Sequence, residues 1–169
     1  MMEGEEDLGA RAAKAYASAI RVLAGRDHSA FELGEKLRTR GFGDEEIDLT
    51  VDRLEADGYL DDAKFAEAVA RSNPHLGRSG LARQMQKKGL DEADWRHLVD
   101  AIDSEEEFSR ALAASRKNVS ERDLATKSPE VWKRRLAGYL QRRGYGFDTV
   151  AQVFRTLEEE QRERREEAW

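Results

Sequence analysis

Residues 33–54 run LGEKLRTRGFGDEEIDLTVDRL, and their spacing decides the fold. Counted from Gly41, apolar residues stand eight and four places before it (Leu33, Leu37) and one place after it (Phe42). Three more stand six, ten and thirteen places after it (Ile47, Val51, Leu54). Gaps of four, and of four then three, bring these side chains to one face of an α-helix on either side of the glycine. Glycine ends helices because it enters the left-handed region without a Cβ clash. The bulky residue after it then folds back onto the last helical turn. The stretch is a helix, a tight turn and a second helix.

The same six offsets recur twice. Around Gly89 they are Leu81, Met85, Leu90, Trp95, Val99 and Ile102; around Gly144 they are Leu136, Leu140, Tyr145, Val150, Phe154 and Leu157. A basic residue precedes each glycine (Arg40, Lys88, Arg143), and Asp44, Asp91 and Asp148 stand where N-caps of the next helix are expected. Self-similarity over about 50 residues marks a repeat architecture. A further amphipathic helix precedes each pair, over residues 12–24 (Tyr16, Ala19, Ile20, Leu23), 63–71 (Phe65, Ala66, Val69) and 105–117 (Phe108, Ala111, Leu112). Ser29 with Glu32 and Ser104 with Glu107 fit the capping box, and Ser128-Pro129 places proline at a first helical position.

The fold class expected is therefore all-α, an elongated array of three tandem three-helix repeats built from helix-turn-helix-like units, nine helices in all. Repeat one covers residues 1–60, repeat two 61–103 and repeat three 104–158, with a charged helical tail over 159–169. The polar segment Asn118 to Lys127 lengthens the second period and is expected to be a mobile loop. In the tail, Glu158 with Arg162 and Glu160 with Arg164 are spaced i,i+4, as in a helix extended into solvent.

Composition narrows the function. Only 39% of the 169 residues are hydrophobic and 38% are charged, too little apolar material for a thick core. No apolar run approaches the roughly 18 residues of a membrane span, and the acidic start lacks the pattern of a signal peptide, so a cytoplasmic protein is expected. Without cysteine there are no disulfides and no thiolate metal sites. The net charge of −6 hides an asymmetry: residues 1–60 carry −6, residues 61–105 carry −2 and residues 106–169 carry +2. Any contact with a polyanion belongs to the second and third repeats.

Catalytic candidates fail one by one. Asp61 and Asp62 are adjacent, so they diverge on a helix, and one or the other is expected to cap the helix that carries Phe65 rather than to form an acid-base pair. His28, His75 and His97 lack metal-ligand spacing and are expected at the surface. No nucleophile elbow, phosphate-binding glycine loop or dinucleotide fingerprint occurs, which leaves no support for an enzyme and no cofactor or metal to expect. The basic residues are different. One cation before each glycine offsets the helix dipole, and Arg40 needs no other explanation. Repeats two and three exceed that need with Arg78, Arg83, Lys87 and Lys88, and with Lys133, Arg134, Arg135, Arg142 and Arg143. Glu32 and Glu35 stand in repeat one where Arg135 and Arg83 stand in the others. Among the aromatics, Trp95 lies on the repeated apolar face and belongs to the core, while Trp132 and Tyr139 are left open between core and base stacking.

Gly58-Tyr59-Leu60-Asp61-Asp62 with Lys64-Phe65-Ala66, then Lys88-Gly89-Leu90, then Leu140 with Arg142-Arg143-Gly144-Tyr145 resemble the successive signatures of the RecX regulatory proteins over about residues 12–157. The resemblance implies a protein of three three-helix units that binds RecA filaments on single-stranded DNA and restrains RecA. It further implies a monomer, with at most weak direct contact to DNA and none to membranes. It adds Arg71 to the candidate RecA- or DNA-binding residues. The chain departs from the family where Arg78 replaces a usual proline and Gly80 and Ala82 replace usual basic residues; Ser72 to Leu76 replace an arginine-rich stretch. The competing expectation is a helix-turn-helix DNA-binding or adaptor protein acting without RecA.

Overall fold

A computed structural model describes residues 2–126 and 128–167. Among them are ten helices: α1 (Met2–Leu23), α2 (Ala30–Arg38), α3 (Asp44–Ala56), α4 (Asp62–Ser72), α5 (Arg78–Lys87), α6 (Glu92–Asp100), α7 (Ser104–Asn118), α8 (Glu121–Thr126), α9 (Pro129–Arg142) and α10 (Phe147–Glu167). No described residue lies in a strand. The all-α fold of three-helix repeats is as expected, with α8 as the one helix too many. Contacts divide the chain into two compact units, Met1–Val69 with Met85–Trp95, and Ala70–Gln84 with Arg96–Trp169.

The eighteen residues at the repeated offsets form the core, as the spacing requires. All are buried except Phe42, Val51 and Phe154, which are half-buried. In the first unit Leu33, Leu37, Ile47 and Leu54 pack with Ala19 and Val22 of α1. In the second, Leu136, Leu140, Val150 and Leu157 pack with Ala111 and Ala114 of α7 and with Trp132. Each fully buried leucine contributes about 1.5–3 kcal/mol relative to exposure.

Gly41, Gly89 and Gly144 have φ of +88°, +67° and +85°, so the helices end where the sequence placed their ends. The amide of the residue after each glycine donates to a buried carbonyl five residues back: Phe42 to Leu37, Leu90 to Met85 and Tyr145 to Leu140, at 3.2–3.3 Å. These are Schellman turns. The sequence pattern missed a fourth, at Gly58, where Tyr59 donates to Leu54.

Cap positions differ from expectation in several places. Gly43, not Asp44, is the N-cap of α3, and its amide is taken by Glu46. Asp148 lies inside α10, whereas Asp91 does directly precede α6. Ser29 caps α2 through the Glu32 amide, but the Glu32 carboxylate turns away to Arg26 and Lys88. Asp103, not Ser104, caps α7. In each case a nearer acceptor or a tertiary cation outcompetes the local box.

The segment expected as a loop contains α8, anchored by Leu124 against the core of the second unit; Lys127 lies outside the described residues. The tail is helical to Glu167, as expected, and Ala168 and Trp169 lie outside the described residues. Its first turn is tied down: Glu158 meets Lys133 and Glu160 meets Arg116, both at 2.5 Å, in place of the expected partners along the helix.

Candidate functional site

The signature Gly58 to Asp62 builds a joint. After the Gly58 turn, Asp61 caps α4 by accepting from the Lys64 amide at 2.9 Å, and the Lys64 ammonium pairs with it. Asp62 accepts from the Ala30 amide at 2.8 Å and so caps α2 of the preceding repeat. Burial raises the Asp62 carboxyl above the ordinary range. Asp61 thus caps the helix that carries Phe65, as expected, whereas Asp62 serves a helix of the repeat before.

The Lys88-Gly89 turn completes this joint within the first unit. Ser29 Oγ donates to the Lys88 carbonyl at 2.6 Å, and the Phe31 ring lies against Gly89. The Lys88 ammonium pairs with Glu32 at 3.1 Å and sits 5.1 Å from the centre of the Phe65 ring. Burial pushes the Glu32 carboxyl up, but hydrogen bonds from Arg26 and Lys88 outweigh it and hold it low.

A second joint in the other unit follows the same rule. Gly77 occupies the place in repeat two that Ser29 occupies in repeat one, twelve residues before the turn glycine. Its amide donates to the Arg143 carbonyl at 3.0 Å, the counterpart of Lys88. A Cβ on Gly80 would lie 1.9 Å from that carbonyl, and one on Gly144 would lie 1.9 Å from the Gly80 nitrogen. The departure at Gly80 therefore has a steric reason. Glu107, buried on α7, accepts from the Arg78 amide at 2.9 Å and pairs with its guanidinium at 3.0 Å, doing for α5 what Asp62 does for α2.

These contacts sort the candidate cations. Arg78 is held by Glu107 and Lys88 by Glu32 and Phe65. Lys133 pairs with Glu158 and lies 5.8 Å from the centres of the Trp132 and Phe154 rings. Arg143 stacks on Tyr139 at 3.8 Å. Arg71 is exposed and has a partner. Arg83, Lys87, Arg134, Arg135 and Arg142 project into solvent, and Arg83 reaches the Arg142 carbonyl at 3.2 Å. Arg83, Arg134, Arg135 and Arg142 thus belong to one unit and gather about α9.

Two open questions close and one expectation falls. Trp132 is core, 2% exposed and edge-on to Phe154 at 5.7 Å, and Tyr139 lies beneath Arg143. Trp95 is core as expected, its indole N–H donating to the Leu90 carbonyl. His75 and His97 are exposed, but His28 is buried, because the residue before the Ser29 cap is covered along with the joint. Arg40 donates to Ser18 on α1 as well as ending α2. Among the described residues no cluster of His, Cys, Asp or Glu is arranged to hold a metal, and no helix is long and apolar enough to cross a membrane.

The sequence offers Glu32 and Glu107 only as local capping-box residues and gives Gly77 no role; their contacts between repeats are not legible in it. The place twelve before each turn glycine aligns Ser29 with Gly77, just as the place one before aligns Lys88 with Arg143.

Comparison with known proteins fits this frame. The family model of the first three-helix domain of RecX matches residues 15–54, and that of the third three-helix domain matches residues 105–154. Regulatory protein RecX of Mycobacterium avium is 34% identical over 92% of this chain and 91% of its own length. Regulatory protein RecX of Thermobifida fusca is 37% identical over 89% and 80%. The crystal structure of RecX from Lactobacillus salivarius has a TM-score of 0.74 at 16% identity, covering 89% of this chain and 98% of that one, a likeness of fold. With its first and third repeats matched and identity of this extent, the chain belongs to the RecX family of regulatory proteins.

Proposed function

We propose that this protein binds RecA filaments assembled on single-stranded DNA and restrains the recombinase, ATPase and co-protease activities of RecA. It acts by binding, with no catalysis and no cofactor, as a monomer in the cytoplasm. The observation that carries this reading is the solvent-facing group Arg83, Arg134, Arg135 and Arg142, in a chain that belongs to a family of regulatory proteins. A chain of net charge −6 does not bind nucleic acid indiscriminately. Cations gathered on one unit still give it a directed attraction for a polyanionic assembly.

The test is single-stranded-DNA-dependent ATP hydrolysis by the cognate RecA, titrated with this protein. Saturable inhibition that weakens with salt is expected. Unchanged hydrolysis together with salt-dependent binding to bare duplex would replace this reading with that of a helix-turn-helix DNA-binding protein acting without RecA.

A further inference from the structure

Both joints described above end on the same chemical feature, the carbonyl end of a helix. Ser29 donates to the Lys88 carbonyl and Gly77 to the Arg143 carbonyl, each the residue just before a turn glycine; Arg83 donates to the Arg142 carbonyl one place earlier. Unpaired carbonyls and the negative end of the helix dipole make such a terminus an acceptor of hydrogen bonds and of cations. The residues ten and nine places before a turn glycine lie over the next turn. Phe31 covers Gly89, and Ser79 with Gly80 covers Gly144. In the first joint the charges also match, Glu32 against Lys88.

Repeat three has this docking face too, and there it is exposed among the described residues. Ten and nine places before Gly144 stand Arg134 and Arg135; six before is Gly138, and two before is Arg142. Val131, one turn earlier, is 53% exposed. The side chains of Arg134, Arg135 and Arg142 are exposed and make no hydrogen bond or ion pair with another described residue. Because α9 starts a turn earlier than α2 or α5, Trp132 faces the core, and the donors left on the face are guanidiniums.

We propose that this α9 face docks onto a helix-ending turn of a partner protein that carries carboxylates where the Lys88 turn carries its cation. Arginine suits that target, offering several donors at once to terminal carbonyls and to a neighbouring carboxylate. A second copy of this chain does not fit. Its open turns are at Gly58 and Gly41, where a Cβ would meet nothing within 4 Å; before Gly58 the Asp57 carboxylate is already held by Tyr16 at 2.7 Å and Arg53 at 3.6 Å, and at Gly41 Arg40 precedes the glycine and Arg11 donates to its carbonyl. Arg134 and Arg135 would face two cations, and like charges across an interface oppose association. The occupant is an acidic turn on another protein. This inference rests on the filament binding proposed above and assigns the contact to the protein of the filament instead of its DNA.

The experiment measures binding of the full chain, by fluorescence anisotropy, to preformed cognate RecA–single-stranded-DNA filaments and to the same single-stranded DNA alone. Two variants are compared with the wild type: Arg134→Glu with Arg135→Glu, and Gly138→Leu. The second keeps every charge and fills the flat spot on the face; the nearest neighbour of a Cβ there is the far end of Arg142 at 3.2 Å, a flexible side chain that can move aside, and the helical spectrum checks that the larger residue folds. Both variants are expected to keep the wild-type helical spectrum and to lose filament affinity by about tenfold or more, with binding to bare DNA unchanged. Filament affinity untouched by either variant would overturn the proposal. So would a parallel loss on bare DNA with Gly138→Leu neutral, which would make the contact one with phosphate. Self-association of the wild type that the double reversal abolishes would make a second copy the occupant and overturn it too. A wild type that binds no filament would instead remove the functional reading on which the proposal stands.

Discussion

A Cβ on Gly89 would lie 2.2 Å from the Phe31 ring, and φ there is +67°. On Gly144 it would lie 1.9 Å from the backbone of Gly80, whereas on Gly41 it would meet nothing within 4 Å. One alanine substitution thus carries three different costs. Gly41→Ala should lose about 1–2 kcal/mol for left-handed backbone alone. Gly89→Ala should lose more because Phe31 must turn aside, and Gly144→Ala most, since backbone cannot. Urea unfolding of the three variants checks the order, and equal losses would mean that the joints are not packed. His28 makes a different prediction. Burial lowers its imidazole below the ordinary 6.5; its Nδ1 lies 2.9 Å from the Arg26 carbonyl, and its Nε2 is buried without a partner. The folded state therefore binds this proton less readily than the unfolded chain does. The stability due to neutral His28 is complete above pH 6.5 and is lost as the pH falls through 6.5 toward the folded value. Melting temperature should drop between pH 7.5 and 5.5, and His28→Gln should flatten that part of the profile.

Helix ends decide how the elements meet. Periodicity located the helices because the apolar offsets repeat, and the turn glycines located their ends. Which acceptor caps each start was not legible, because Asp62 and Glu107 cap helices of the preceding repeat, 32 and 29 residues away along the chain. Local rules see only the box within a helix, and so they assigned Glu107 to Ser104. Likewise α8 was hidden in a polar segment whose one anchor, Leu124, is too little to set a period. The crossed caps are open to measurement. Glu107 is 4% exposed and receives the Arg78 amide, Nε and a terminal guanidinium nitrogen. Glu107→Ala should cost about 1–3 kcal/mol by leaving the start of α5 and a half-exposed guanidinium without their acceptor. Glu107→Gln keeps one acceptor oxygen and should cost less. If both variants melt like the wild type, Glu107 caps nothing and Arg78 returns to the set of cations available to a partner.

Across the whole molecule, the charge asymmetry was visible in the sequence, but which cations are occupied at home was not. Lys87 and Lys88 are neighbours in sequence with different circumstances. Lys88 lies in the joint with Glu32 and Phe65, while Lys87 is exposed in the last turn of α5. Arg142 and Arg143 divide in the same way, Arg143 being stacked on Tyr139 and accepting from Gly77 through its carbonyl. Spacing alone treats each pair as equivalent; Glu32 and Phe65, in earlier helices, single out Lys88, and Tyr139, one turn back along α9, singles out Arg143. Reversing a whole pair would therefore mix loss of a joint with loss of a surface charge. The informative variant is Lys87→Glu with Arg142→Glu, which touches only exposed side chains, each contributing about 0–1 kcal/mol to stability. It should melt within a few degrees of the wild type. Its inhibition of RecA should weaken several-fold at low salt and respond less to added salt, because each lost cation removes one attraction that salt screens. Lys36→Glu, an exposed reversal in the acidic first repeat, should leave inhibition nearly unchanged. Lys88→Glu should instead lower the melting temperature, since it sets a carboxylate against Glu32, which the wild-type ammonium holds at 3.1 Å. Inhibition that survives Lys87→Glu with Arg142→Glu at every salt concentration would show that these two cations meet only solvent.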